Sequence, residues 1–198
     1  MLRKYGNVSA LELNDEAISE LKEKFGGQID IIKWRSPEKI NRKFDLILLA
    51  DVLEHIPDDR ETVSWIYEHL NNGGYALLTV PAHQFFWTQM DEVVGHYRRY
   101  SRKKFLKLFE NKFSIKKFSF YNFFLFPVKI VFYYFAWTVR CFFPQSKRSY
   151  NDLVPQLKLI NIIFKYILYF ESKLMRRISF PFGVSMILLV QKNSFSKK

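Results

Sequence analysis

Side chains that could do chemistry occur first at Asp51 and His55, directly after a run of five apolar residues, 46–50. A carboxylate and an imidazole at the end of a buried strand can form the floor of a ligand site. His55 can also act as a general base, because imidazole changes its charge near neutral pH. The alternative interpretation is a helix-capping acid beside a half-buried histidine.

A second acid, Glu12, lies near the end of a short apolar run, residues 8–13. Ligands of open α/β sheets bind beyond the carboxyl ends of the strands. A carboxylate there can accept two hydrogen bonds from a ribose diol and so orient a nucleoside. Because acids often follow strands, a solvated loop acid is the alternative.

The third group is the segment 95–100, Gly-His-Tyr-Arg-Arg-Tyr, which places His96 next to Arg98 and Arg99. Paired guanidiniums suit the recognition of phosphate or carboxylate, because their fork geometry is bidentate. A solvated basic turn is one alternative, and an arginine paired structurally to Asp91 is another.

The pattern of the remaining chain predicts elements that would position these groups. Strands are predicted at residues 8–13, 29–33, 44–50, 75–80, 113–120 and 184–190. Helices are predicted after the caps Asn14, Asp58 or Asp59, and Ser101, with ends at Gly26–Gly27, Gly73–Gly74 and Glu110, respectively. The alternation predicts an α/β fold with right-handed crossovers, and the apolar run of the third strand predicts burial on both faces.

Residues 122–139 are almost wholly apolar and aromatic, interrupted by Pro127 and Lys129. We favour a helix that lies at or dips into a membrane surface; a cover packed on the domain and a true span are the alternatives. A second helical stretch follows Pro155 and ends near Arg176. Four cations, Lys147, Arg148, Arg176 and Arg177, would favour an anionic leaflet.

The composition of the chain limits the number of domains, the kind of partner and the disulfides that are possible. The chain has 198 residues, enough for a single domain, and a net charge of +12 that favours anionic partners unless it reflects codon bias alone. Its single cysteine excludes an internal disulfide. No secretory signal is visible near residue 1, and this predicts a cytoplasmic protein. If the apolar segment 122–139 lies at a membrane surface, the protein is expected to be peripheral on the inner face of the membrane.

The segments "ALELN" at 10–14, "FDLI" at 44–47 with "VLEHI" at 52–56, and "LNNGGYALLTV" at 70–80 resemble class I S-adenosylmethionine-dependent methyltransferases of type 11 or 23. The Gly-His-Tyr-Arg-Arg-Tyr segment resembles a bacterial subgroup associated with surface-glycan or lipid-linked sugar pathways. The resemblance implies a Rossmann-like sheet with helices on both faces. Within a single domain, 1–198, it implies a cofactor core at 1–120, a hydrophobic helical insertion at 121–180 and a final strand at 181–192.

The resemblance also implies roles for individual residues. Glu12 would bind the ribose hydroxyls of S-adenosylmethionine, and Leu13 would pack by the adenine. Ala50 and Asp51 would line the methionine side. The residues expected at the acceptor are His55 and His96 as catalytic groups and Arg98, Arg99 and Tyr100 as substrate contacts. Methyl transfer of this kind is expected to require no metal.

The sequence departs from that family in two places. No clear acid follows the predicted strand 29–33, and no Gly-x-Gly occurs, so the first strand and its glycine loop are expected to be missing by N-terminal truncation. Neighbouring strands would then expose unpaired edges or close together. We expect methyl transfer to a small-molecule, lipid-linked or glycan-related acceptor at the membrane face. A non-catalytic remnant or interaction module is the alternative, and a nucleic-acid acceptor is disfavoured because no Asn/Asp-Pro-Pro-Tyr motif is present.

Overall fold

The computed structural model describes residues 2–35, 38–142 and 158–193, and the chain divides into two compact units, Met1–Asn41 and Arg42–Lys198. Lys147, Arg148 and Pro155 lie outside the described residues. The prediction of a single domain with the internal boundaries given above stays a prediction.

The first unit is a strand–helix–strand unit, as the sequence predicts. Its elements are β1 (Ser9–Glu12), α1 (Asp15–Phe25) and β2 (Asp30–Lys33), and β1 pairs with β2 in parallel. The Asn14 side chain accepts hydrogen bonds from the amides of Glu16 and Ala17 at 2.8 and 3.1 Å, and Gly26 ends the helix at φ 50°. Both predicted caps of α1 are therefore confirmed.

The second unit contains a four-stranded sheet. In chain order its elements are β3 (Phe44–Ala50), α2 (Asp59–His69), β4 (Leu70–Pro81), α3 (Gln89–Val93), α4 (Arg102–Lys107), β5 (Phe113–Tyr121), α5 (Phe126–Phe142), α6 (Lys158–Leu174) and β6 (Ser185–Lys192). The sheet order is β3-β4-β6-β5; β3 and β4 run parallel, and β6 is antiparallel to both of its neighbours. The predicted α/β class is confirmed.

The core of the second unit lies under one face of this sheet. Alternate side chains of β4 and β6 are fully buried, which is the period expected of strands packed on one side. The fully buried residues of the two strands are Ala76, Leu78, Val80, Met186, Leu188 and Val190. Phe105 of α4 and nearby Phe109 are also fully buried. This packing holds the carboxyl ends of β3 and β4 in fixed places.

The predicted boundary between α2 and β4 is wrong. The helix ends at His69 and β4 begins at Leu70, so Gly73 and Gly74 lie within the strand and do not end the helix. Gly73 has φ 76°, and a Cβ on Gly74 would lie 3.2 Å from the Phe44 carbonyl oxygen. The two glycines therefore allow β4 to begin with an irregular backbone that passes close to β3.

The prediction that β3 is covered on both faces is also wrong. Ile47 and Leu49 are buried, whereas Leu46 and Leu48 are 48% and 45% exposed. Among the described residues β3 pairs only with β4, so its other edge carries no strand. An unpaired edge is one of the two arrangements expected of a truncated sheet, and the truncation itself stays a prediction.

Candidate functional site

The carboxyl end of β3 finishes in a strained turn at Asp51. This residue adopts φ 52°, a left-handed conformation that costs a non-glycine residue about 1–2 kcal/mol. Its amide donates to the carbonyl and hydroxyl oxygens of Thr79 on β4, at 3.2 and 3.0 Å. Ala50 and Asp51 are both exposed, so a ligand can reach them, and their cofactor role stays a prediction.

One turn further along the chain, a short 3-10 helix, Leu53–His55, buries the Glu54 carboxyl group. Glu54 is 1% exposed, and its Oε2 has no hydrogen-bond partner in the described part of the chain. Burial raises the pKa of Glu54 to about 7. The Tyr97 amide donates to the Glu54 carbonyl oxygen at 2.8 Å and ties this turn to the loop that carries His96.

His96 is held by Asp91 of α3. Its Nδ1 lies 2.8 Å from Asp91 Oδ1, and its Nε2 lies 4.0 Å from Glu54 Oε1. Because an ionised carboxylate can only accept, Nδ1 donates to Asp91, and in the neutral ring Nε2 is then the nitrogen with the lone pair. The His55 ring meets the His96 ring edge-on, with 4.6 Å between the centroids. Glu54, His55, Asp91 and His96 thus form one cluster.

Asp91 is 1% exposed and must stay ionised to orient His96 in this way. Burial acts to raise the pKa of Asp91, but hydrogen bonds from Arg99, Thr88 and His96 outweigh it and hold the pKa below its ordinary value. The Thr88 amide donates to Oδ2 at 2.8 Å, and Arg99 Nε donates to Oδ1 at 2.7 Å. Asp91 is therefore a fixed anion at the base of the cluster.

The three predicted substrate contacts already bind protein groups. Arg98 donates to the Pro57 carbonyl at 2.6 Å and pairs with Asp59 at 3.1 Å. The Tyr100 hydroxyl, in a side chain only 3% exposed, donates to Asp59 at 3.1 Å. Arg99 makes the structural pairing with Asp91 that was the alternative interpretation. Their contact with a substrate stays a prediction.

Glu12 and Leu13 belong to the first unit. Glu12 Oε1 accepts from the amides of Leu13 and Asn14 at 2.8 and 2.9 Å, which fixes the direction of the carboxylate at the end of β1. The Leu13 side chain is 46% exposed. Their cofactor roles stay predictions.

Sequence reasoning assigned no role to Glu54 and named Asp91 only as the structural partner of an arginine. Asp91 was available from the Thr88–Asp91 spacing, which forms a capping box at the start of α3. Glu54 lies between Leu53 and His55, and no pattern in the sequence indicates that this acid is buried.

Comparisons with known proteins find one family model that matches this chain and several solved structures with a similar fold. Residues 3–112, more than half of the chain, match the family model described as "Methyltransferase domain". No curated protein sequence gives a significant match. Three solved structures illustrate the likeness of fold.

StiE O-MT is 16% identical at a TM-score of 0.56, over 98% of this chain and 61% of that chain. A Clostridium acetobutylicum S-adenosylmethionine-dependent methyltransferase is 16% identical at a TM-score of 0.56, over 96% of this chain and 76% of that chain. Haemonchus contortus phosphoethanolamine N-methyltransferase 2 was solved with S-adenosyl-L-methionine. It is 15% identical at a TM-score of 0.54, over 97% of this chain and 45% of that chain. This chain therefore spans about three fifths of the length of StiE O-MT and less than half of the length of the Haemonchus contortus enzyme. At these identities the likeness shows the fold alone.

Proposed function

The chain belongs to the methyltransferase domain family, and from that premise we propose that it transfers a methyl group from S-adenosylmethionine to a small-molecule, lipid-linked or glycan-related acceptor. The observation that carries the proposal is the cluster of Glu54, His55, Asp91 and His96 beside Asp51 at the carboxyl end of β3. Ligands of open α/β sheets bind at this end of the strands.

The properties of the single residues support the cofactor roles that the family resemblance implies. The Glu12 carboxylate, already fixed by two amides, offers acceptor oxygens to a ribose diol. Leu13 offers exposed apolar surface to an adenine ring. Asp51 offers an exposed carboxylate to the positively charged methionine end of the cofactor, and the small side chain of Ala50 is also exposed.

When bound, S-adenosylmethionine would supply the sulfonium methyl group and leave as S-adenosylhomocysteine, and the acceptor would give up a proton if the methylated atom is a hydroxyl oxygen. The acceptor proton passes to His96 Nε2, the nitrogen that presents a lone pair. Asp91 stabilises the imidazolium that results, because it accepts from Nδ1. Alignment of donor and acceptor supplies most of the acceleration. Arg98, Arg99 and Tyr100 shape the loop that the acceptor meets.

Cofactor binding is tested by calorimetry with S-adenosylhomocysteine on the full chain. We expect saturable binding that falls about tenfold in Asp51→Ala or Glu12→Ala, because each variant loses one charged or bidentate contact of about 1.4 kcal/mol. Glu20→Ala, an exposed acid on α1, is the control and should bind like the parent. No heat from the parent chain would favour the alternative, an interaction module that binds no cofactor.

The acceptor's lipid-linked character is supported by an aromatic face on α5 and α6. Large side chains there are exposed by 50% or more: Val131, Phe132, Tyr134, Phe135, Ile162, Ile163, Tyr166, Tyr169 and Phe170. An open apolar groove of about 390 Å³ lies alongside, lined by Phe124, Tyr166, Ile167 and Phe170. Exposed apolar patches of this kind mark partner or membrane surfaces.

Lys129, which would oppose insertion of α5, does not belong to the aromatic face. Its Nζ lies 5.2 Å from the centre of the Phe86 ring. Burial, followed by the charge of Arg99, lowers the pKa of Lys129 to about 8. Within the described residues, no helix combines the length and the apolarity needed to cross a membrane. These contacts support α5 lying along a membrane surface with its aromatic face toward the lipid.

We expect the chain to sediment with vesicles that contain an anionic phospholipid, and less so as salt rises, because basic residues are screened. Phe132→Ser with Phe135→Ser should weaken vesicle binding by about tenfold or more, given about 1.5–3 kcal/mol for each phenylalanine that is buried. Tyr5→Ser removes an aromatic residue that is 83% exposed on the first unit and is the control. Equal sedimentation of all three proteins would contradict the assignment of the aromatic face.

A further inference from the structure

The cluster contains a buried carboxylate oxygen that nothing in the described chain satisfies. Glu54 is 1% exposed, and its Oε2 has no hydrogen-bond partner among the described residues, while Oε1 lies 4.0 Å from His96 Nε2. Leaving a buried acceptor without a partner costs about 1–3 kcal/mol, more for a charged group. One ligand atom each from Glu54, His55 and His96 lie within 4.8 Å of one another.

His96 is oriented from behind, because Asp91 accepts from its Nδ1 at 2.8 Å. The backbone of Gly95 and Val94 lies near the His55 ring. Metal-binding histidines in proteins almost always have such a partner on the second ring nitrogen, because it fixes the tautomer and the direction of the coordinating lone pair. Proton transfer by a single base does not need a second imidazole whose ring centre lies 4.6 Å away.

We propose that Glu54, His55 and His96 bind a divalent transition-metal ion, for which Zn²⁺ is the best match. Two imidazoles and one carboxylate are a common set for zinc with an open fourth position, whereas Mg²⁺ and Ca²⁺ prefer oxygen ligands alone. Bonds of about 2.1 Å in a tetrahedral site put ligand atoms about 3.4 Å apart. The observed spread of up to 4.8 Å needs only small side-chain movements to reach it.

His55 is exposed, so the open coordination position faces solvent and an incoming acceptor. The ion satisfies Glu54 Oε2 and uses the lone pair of His96 Nε2. A loaded site therefore does not use His96 as the proton acceptor; an acceptor hydroxyl bound to the ion is instead made more acidic by the ion itself. The proposal departs from the expectation that the reaction requires no metal, and it does not rest on the proposed methyl transfer.

The test uses the full, tag-free chain after chelator treatment, titrated with Zn²⁺ in competition with a chromophoric chelator. We expect one ion per chain, and about 100-fold weaker binding in Glu54→Gln, His55→Ala and His96→Ala, since each removes one ligand. Asp91→Asn should weaken binding by about 10- to 100-fold through His96 alone. Glu61→Gln, an exposed acid on α2, is the control and should bind like the parent.

Cobalt gives a second readout that does not depend on variants. Co²⁺ in a four-coordinate site of nitrogen and oxygen ligands should show strong visible absorption, lost on addition of Zn²⁺. Absence of this spectrum together with less than one zinc ion per chain overturns the proposal. So does zinc binding that is undiminished in both Glu54→Gln and His96→Ala. Neither assay contains S-adenosylmethionine, so a metal site without methyl transfer, or the reverse, is directly distinguishable.

Discussion

Gly183→Ala is expected to lower the free energy of unfolding by about 3 kcal/mol or more, because a backbone clash must be relieved. Gly183 lies just before β6, where the chain crosses the end of β5. A Cβ at this position would fall well inside van der Waals contact with the Tyr121 carbonyl oxygen and 3.1 Å from Phe120 Cβ. Neither the carbonyl oxygen nor the Cβ can turn away as the end of a flexible side chain would.

The loss should be visible as a lower midpoint in thermal and urea unfolding followed by circular dichroism. Gly6→Ala is the matched control, because nothing lies within 4 Å of a Cβ there. That variant should unfold like the parent. Equal stability of the two variants would show that the strand ends at Phe120 and Gly183 do not approach one another as described.

Local signals predicted the elements whose ends are decided by local chemistry. Asn14 caps α1 and Ser101 caps α4 because their side chains reach amides two or three residues away, and these bonds depend on adjacent sequence alone. The apolar run at 184–190 likewise predicted β6 from adjacent residues alone.

Features that depend on distant partners could not be predicted in this way. Gly73 and Gly74 carry the same signal whether they stop a helix or loosen a strand, and the approach of the β3 backbone decides between the two. The apolar run of β3 does not reveal that Leu46 and Leu48 stay exposed, because coverage of a strand depends on what packs over it.

The same distinction holds within the candidate site. Asp51, His55 and His96 were identified from residue type and position after a strand or in a dense motif. Glu54 was passed over because an acid in a sequence carries no sign of its burial, which here comes from the loop that brings Tyr97 over its backbone. The pairing of an arginine with Asp91 was one of three interpretations, and the geometry shows that the arginine is Arg99.

His96→Ala is expected to reduce methyl transfer by about 10²- to 10⁴-fold, the usual contribution of a positioned proton acceptor, while S-adenosylhomocysteine binds as in the parent. We propose that its Nε2 receives the acceptor proton, while Asp91 fixes the ring. Transfer is measured with a radiolabelled methyl group of S-adenosylmethionine and a membrane-lipid extract as acceptor. Tyr97→Ala, an exposed neighbour, is the control and should retain most of the activity.

Added imidazole separates the roles open to His96. In metal-free buffer containing chelator, free imidazole should restore part of the activity of His96→Ala if the side chain acts by accepting a proton, because a small base can enter the space left by the ring. If the side chain acts as a metal ligand, the parent enzyme loses activity in chelator and regains it with Zn²⁺. Full activity of His96→Ala with unchanged cofactor binding would remove His96 from the chemistry altogether, and the exposed imidazole of His55 would then be the base to test.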